Sequence, residues 1–286
     1  MSRESMPLET KIYQKENKIS LLNLLKDTLS DTRRSLYLAK QLTVRDLKAQ
    51  YRQSYFGIIW AFIAPLTTAF VWIFLNYTGT IKLTDTGIAY PVFAFSGTLI
   101  WSIINSAINM PLSSTNASKG IMAKINFPKE ALIVSGIYRL LFDSSIKVAL
   151  LLAFVFIFGV GFHMSLLLLP FVVLGAMLFG ITIGLFITPL GMLYTDVMRV
   201  VSMGLSLLMY VTPVVYVIPK TGLLKTIMEL NPFTALIVTS RDFIVGADPS
   251  FLYYYLWIML ACIPLFLLGL IFYRISIPIF LERMSA

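Results

Sequence analysis

Arg45, Lys48 and Arg52 are the residues whose types and spacing first suggest chemistry. On a helix they fall into one stripe with Gln41 beside it, while Val44, Leu47, Tyr51 and Tyr55 lie about a quarter-turn away. A row of guanidinium and ammonium groups meets phosphates, and an aromatic and aliphatic face next to it sinks into the headgroup boundary of a bilayer. The chemistry on offer is anion binding at a membrane surface. A solvated amphipathic helix packed on a soluble domain would carry the same stripe, so the next stretch of chain decides between the two. From Gly57 to Tyr77 no charged residue occurs in 21 positions. That is the length a bilayer core requires, about 20 apolar residues.

A second charged set, Arg139, Asp143 and Lys147, stands at successive i, i+4 steps inside another apolar segment. Asp143 is the only acid inside the apolar part of any span. The set reads either as a relay for protons or substrate, or as a neutralised ladder near the interface. Catalytic and metal-binding equipment is not visible: there is no GxxxxGK[ST] phosphate loop, no HExxH and no carboxylate pair in the spans. Cys262 and His163 are the sole cysteine and histidine. No catalytic and no metal site is therefore expected, and any uphill transport must draw its energy from elsewhere.

The elements that position these residues follow from composition. The chain has 286 residues, 58% of them hydrophobic and 13% charged, with a mean hydropathy of +0.82. Soluble domains carry about a quarter charged residues, so this is an integral membrane protein. The net charge of +9 does not point to nucleic acid, because 11 of the 23 Lys and Arg precede Gly57 in a segment without zinc spacing or an aromatic RNA-binding signature. No cleavable signal is visible in the first 20 residues, and insertion is expected to rely on the first span.

Hydrophobic runs place spans at about 57–77, 91–112, 128–160, 166–190, 197–217 and 251–273. The expected fold is an all-α integral membrane protein with six transmembrane helices, an N-terminal amphipathic interface helix and short re-entrant helices before the last span. In order, these are a cytosolic extension at 1–35, the interface helix at 36–56, the membrane domain at 57–273 and a cytosolic tail at 274–286. Asn231 is a good N-cap with Pro232 as first helical residue, which starts a short helix that stops near Gly246. The two short apolar pieces in 218–250 read either as re-entrant helices or as a cap of interfacial ones. Gly180 and Gly184 have the small-xxx-small spacing that lets another helix approach closely. Segments on the N-terminal side hold 17 Lys and Arg against four on the other, which predicts that both termini are cytoplasmic.

The chain resembles the membrane subunits of ABC transporters that export cell-surface polysaccharides such as O-antigen, capsular polysaccharide and teichoic acid. The resemblance covers roughly 36–282. It is most specific at the interface helix and first span, through Arg45, Asp46, Leu47, Lys48, Tyr51, Ser54, Gly57, Trp60 and Pro65. Lys124, Phe127 and Pro128 resemble the cytosolic loop after span two, and Asn231, Pro232 and Arg241 the helices before the last span. Where the family often has aromatic-Arg-Asp, Tyr194 and Asp196 match and Thr195 replaces the Arg.

This resemblance implies a homodimer with two copies of a separate cytosolic ABC ATPase, which would hold ATP and Mg; no cofactor is expected in this chain. The loop at 113–130, with Ser118, Lys119, Gly120, Lys124 and Phe127, would dock into that ATPase. Spans one and five would line a channel in the bacterial inner membrane, and the short helices at 218–250 would close its exit. Trp60, Phe70, Tyr210 and Tyr216 are the aromatic platforms expected to let a polymer slide, with ordinary packing as the alternative for each. The Arg45, Lys48 and Arg52 stripe would meet the pyrophosphate of an undecaprenyl-type lipid-linked polysaccharide, with O-antigen as first choice. An exporter of drugs or small lipids would share this architecture, but the basic interface helix favours the polymer. A membrane-embedded glycolipid transferase would need paired acids or a His-Asp site, and Asp143 has no histidine near it.

Overall fold

The computed structural model describes residues 21–52, 54–79, 87–122, 124–125 and 127–285, and all regular structure among them is helical. Two helices precede the membrane domain: α1 (Leu21–Arg34) and α2 (Leu36–Arg52). A 3-10 turn at Gly57–Ile59 leads into α3 (Trp60–Tyr77). Next come α4 (Tyr90–Ala117), the single turn α5 (Lys119–Met122) and α6 (Glu130–Ile157). A 3-10 turn at Met164–Leu168 opens α7 (Leu169–Leu193), and α8 (Asp196–Tyr210), α9 (Leu223–Leu230), α10 (Pro232–Val245) and α11 (Leu252–Ser285) complete the chain.

Among the described residues five segments are long and apolar enough to cross a bilayer: Gly57–Tyr77, Tyr90–Ala117, Glu130–Ile157, Met164–Leu193 and Leu252–Phe280. The protein is therefore a multi-pass membrane protein. The third starts at Glu130, two residues after the proline expected to begin it, and the Pro128 carbonyl accepts from Ala131 N at 3.1 Å. The region read as span five is shorter than its hydrophobic run. α8 has 15 residues, about 22 Å at 1.5 Å per residue. It ends at Tyr210 because Pro213 has no N–H to continue the helix and pushes Thr212 out of helical geometry; a tight turn closes there, Val214 N donating to Thr212 O at 2.7 Å. At the other extreme α11 runs 34 residues without a break, through the point near Tyr273 where its hydrophobic run ends.

α4 is the central post, buried along most of its length and packed by α7, α6, α3 and α10. Its seam with α7 is the close approach expected of Gly180 and Gly184. A Cβ at Gly180 would lie 2.8 Å from the Ile104 carbonyl oxygen, and one at Gly184 would run into that of Ile108. Because these obstacles are backbone, Gly184→Ala is expected to destabilise the chain by about 1–3 kcal/mol through overpacking, read as a lower unfolding temperature in detergent. An unchanged temperature would mean that the seam can open.

The short helix α10 lies against α4, α7 and α11. Its ends are those expected: the Asn231 side chain accepts from Phe233 N at 3.0 Å, and Gly246 terminates it at φ 76°. Phe233 packs between Trp101 and Phe179, with ring centroids 5.5 and 5.1 Å away. By contrast α3 and α8 are the least covered helices, each burying a single residue, Ala69 and Leu205.

Candidate functional site

α2 is held against α6 on one side. Ala39, Leu42 and Thr43 are buried, and the Thr43 hydroxyl donates to the Ser135 carbonyl at 3.2 Å. The aromatic and aliphatic face expected at the headgroup boundary is a different one and stays mostly free: Val44 and Tyr55 are exposed, and Leu47 and Tyr51 are half-buried. Arg45, Lys48 and Arg52 are all exposed on the free side. Arg45 pairs with its neighbour Asp46 at 2.7 Å, and among the described residues Lys48 and Arg52 have no ion pair.

After α2 the chain turns sharply. Ser54 Oγ accepts from Gly57 N at 3.1 Å, and Gly57 sits at φ 48°, a conformation that side-chain-bearing residues rarely adopt. The turn sets Trp60, at the start of α3, beside the end of α2. Between α2, α3, α4 and α6 lies a cavity of about 350 Å³, whose lining includes Tyr51, Trp60, Ser102, Asp143 and Lys147. Lys147 Nζ donates to Ser102 Oγ at 2.8 Å, and the Tyr51 hydroxyl is buried with no partner. Burial pushes the Tyr51 phenol above its ordinary pKa; the Asp143 carboxylate pushes the same way and Arg139 opposes. Asp143 and Lys147 thus share a space without closing an ion pair within 4.0 Å among the described residues.

The four aromatic platforms do not form one row in a single chain. Trp60 lines the cavity; Phe70 is exposed on α3 and stacks only on Phe74, with centroids 6.3 Å apart. Tyr210 is exposed at the end of α8, and the Tyr216 hydroxyl donates to its carbonyl. Tyr216 also lines a second cavity of about 260 Å³ with Phe93, Pro213 and Arg241. Arg241 was not legible as a structural residue. It is buried, lies 3.7 Å over the Phe93 ring and donates to the Pro213 carbonyl at 3.1 Å and to that of Val214. The guanidinium pins the turn after α8 onto α4 and α10. Its sequence signals were the family resemblance and its being the one cation of α10, beside Asp242.

On the side where α6 begins, α5 is a small capped turn. Ser118 and Met122 are buried, the Ser118 carbonyl accepts from Ile121 N and Met122 N at 3.0 Å each, and Lys119 is half-buried. Gly120 and Lys124 are exposed, and Phe127 is half-buried under Lys129, whose ammonium is 4.8 Å from the ring centroid. Burial lowers the Lys129 pKa, and Glu130 opposes that shift. Beside this loop is a charge cluster that sequence reading missed: Arg274 donates to Glu130 and to Asp31, both at 2.7 Å, and Glu130 is only 2% exposed. Next to it the buried Tyr273 hydroxyl bonds Thr115 Oγ1 at 2.7 Å. The cluster ties α1, the start of α6 and the last third of α11 into one block.

Known proteins give this arrangement a family. A permease protein of an O-antigen export system, RfbA, from Klebsiella pneumoniae is 25% identical over 217 residues, covering 74% of this chain and 82% of the relative. The protein of the same description from Myxococcus xanthus is 25% identical over 213 residues, covering 72% and 81%. The family model for ABC-2 type transporters matches residues 37–244, from the interface helix to the end of α10. The chain belongs to the ABC-2 type transporter family.

Proposed function

We propose that this chain is the channel-forming subunit of an ATP-driven exporter that moves a lipid-linked cell-surface polysaccharide, O-antigen in the first instance, across the bacterial inner membrane. The observation that carries the reading is the exposed Arg45, Lys48 and Arg52 stripe at the entrance to the first span. It presents cations where the pyrophosphate of an undecaprenyl-type carrier would meet the inner leaflet. The O-antigen export permeases among the relatives support the same substrate class.

A homodimer accounts for the two least covered helices. Val200, Met203, Leu207 and Tyr210 recur along one exposed side of α8, and Phe70 and Phe74 are exposed on α3. Two copies that pair through α3 and α8 would bring Phe70, Tyr210 and Tyr216 to a shared path. The Arg274 cluster supports a six-span count. With Arg274, two-thirds of the way along α11, beside the start of α6, the chain between α7 and α11 would cross once, and α8 with the segment after it is the part available. The charge bias supports a cytoplasmic position for that part of α11 and for both termini. α9 and α10 would close the outer mouth of the path.

ATP and Mg would be bound by two copies of a cytosolic ATPase docked on Ser118, Lys119, Gly120, Lys124 and Phe127. Charge reversal at the loop, Lys119→Glu with Lys124→Glu, is expected to leave basal hydrolysis in place and to abolish its stimulation by substrate. A stimulated rate equal to that of the wild type would remove the docking role. The proposal as a whole is tested by purifying the chain with a cytosolic ABC ATPase that co-purifies with it, reconstituting both in vesicles and following ATP-dependent movement of a lipid-linked polysaccharide. Transport of small lipids or drugs but not of the polymer would overturn it.

A further inference from the structure

We propose that the cavity between α2, α3, α4 and α6 is a headgroup site for a zwitterionic phospholipid, with the ammonium on Asp143 and the phosphate on Lys147 and Tyr51. Both signs of charge line one space and do not neutralise each other by a direct pair. Lys147 uses one of its three donors on Ser102, and the Tyr51 hydroxyl is buried with no partner among the described residues, so donors remain for an anion. Asp143 supplies acceptors only when ionised and suits a cation. The remaining polar groups at the wall, Gln50, Thr68 and Thr98, are neutral.

Depth argues for a lipid. Gln50 and Tyr51 come from the amphipathic α2, and Trp60 from the first turn of α3, where the charge-free run begins. An indole beside the end of an amphipathic helix is the arrangement of a headgroup layer. At about 350 Å³ the cavity holds a headgroup and not a sugar polymer, and Phe95 and Leu99 offer apolar walls to the acyl chains below it. Charge also separates this site from the export path. A pyrophosphate carries no cation for Asp143 and would face its carboxylate, whereas the exposed stripe on α2 has three cations against the single acid Asp46.

The inference rests on α2 and α3 meeting at the membrane boundary, and not on the identity of the polymer. The test uses the full chain with its ATPase, in nanodiscs of equal phosphatidylethanolamine and phosphatidylglycerol, with native mass spectrometry of the lipid retained after extraction. The wild type is expected to retain phosphatidylethanolamine over phosphatidylglycerol by about tenfold, from the charge-assisted bond of Asp143 to the ammonium that phosphatidylglycerol lacks. Asp143→Asn removes that preference, and Lys147→Gln lowers retention of both lipids. Tyr51→Phe, which keeps the ring, lowers retention with an unchanged unfolding temperature, so the inference stands or falls even if Asp143→Asn does not fold. Equal retention of the two lipids by the wild type, or wild-type retention by Tyr51→Phe and Lys147→Gln, overturns it. Displacement of the phospholipid by an added polyprenyl pyrophosphate also overturns it, by making the cavity part of the export path while leaving the proposed function intact.

Discussion

Replacing Arg45, Lys48 and Arg52 together by Ala is expected to reduce export of the lipid-linked polymer by roughly 30-fold without lowering the amount of subunit in the membrane. A cation close to an anionic surface contributes about fivefold to binding, so three would give about a hundredfold. Arg45 already spends part of its charge on Asp46, 2.7 Å away, which brings the figure down. All three side chains point away from the face that packs on α6, so assembly is not the process that suffers. Measuring surface polymer beside subunit abundance separates the two. The loss should be mimicked in part by high salt in vesicles, since exposed charges are screened over a few ångströms at molar ionic strength. Normal surface polymer from the triple variant would leave α2 as an anchor alone.

Arg274→Met is expected to lower stability by about 3–5 kcal/mol, because it leaves the carboxylate of Glu130 buried without its cation. Glu130 has almost no exposure to water and no other ion pair among the described residues, whereas Asp31 is partly exposed and can be solvated. The penalty therefore falls mainly on Glu130. Adding Glu130→Gln to the same chain should recover more than half of the loss, a non-additivity that identifies contact between the two groups. Thermal unfolding in detergent reads both variants. An Arg274→Met chain that unfolds at the wild-type temperature would show that the cluster is solvated and contributes little. Because Arg274 also holds α1 through Asp31, proteolysis near Arg33 and Arg34 should speed up in Arg274→Met and stay fast in the double variant, which recovers stability without restoring that pair.

Local rules carried the sequence furthest. Asn231, Pro232 and Gly246 marked both ends of α10, and Gly180 with Gly184 marked the α4–α7 seam, because capping and close approach depend on residues within one or two turns. The interface stripe was legible for the same reason. Pro213 was in plain view too, but a hydrophobic run cannot say that the helix stops before the run does, and α8 is shorter in the fold than its run predicts. Contacts between distant segments were not legible. Arg274 meets a carboxylate 243 residues away, and Arg241 finds its ring and carbonyls on two other elements. Asp143 and Lys147 stand out by spacing, but the space they share exists only because Ser102, Tyr51 and Trp60 converge on it from three further helices.

The turn between α2 and α3 has a consequence for how binding and movement are linked. α2 is fastened to α6, whereas α3 is held along little of its surface, and the residues between them include a glycine at positive φ that has open space around it. A tilt of α3 can be taken up at that glycine while α2 stays in place. The cavity has walls on both sides of the hinge, so its width changes with the tilt. By linkage, a molecule that fits the cavity better at one tilt must favour that tilt by the same free energy with which the tilt favours the molecule. Membrane composition would then act on the pump as an effector: the same chain, in bilayers differing only in the lipid available to the cavity, would rest with its first span at different angles.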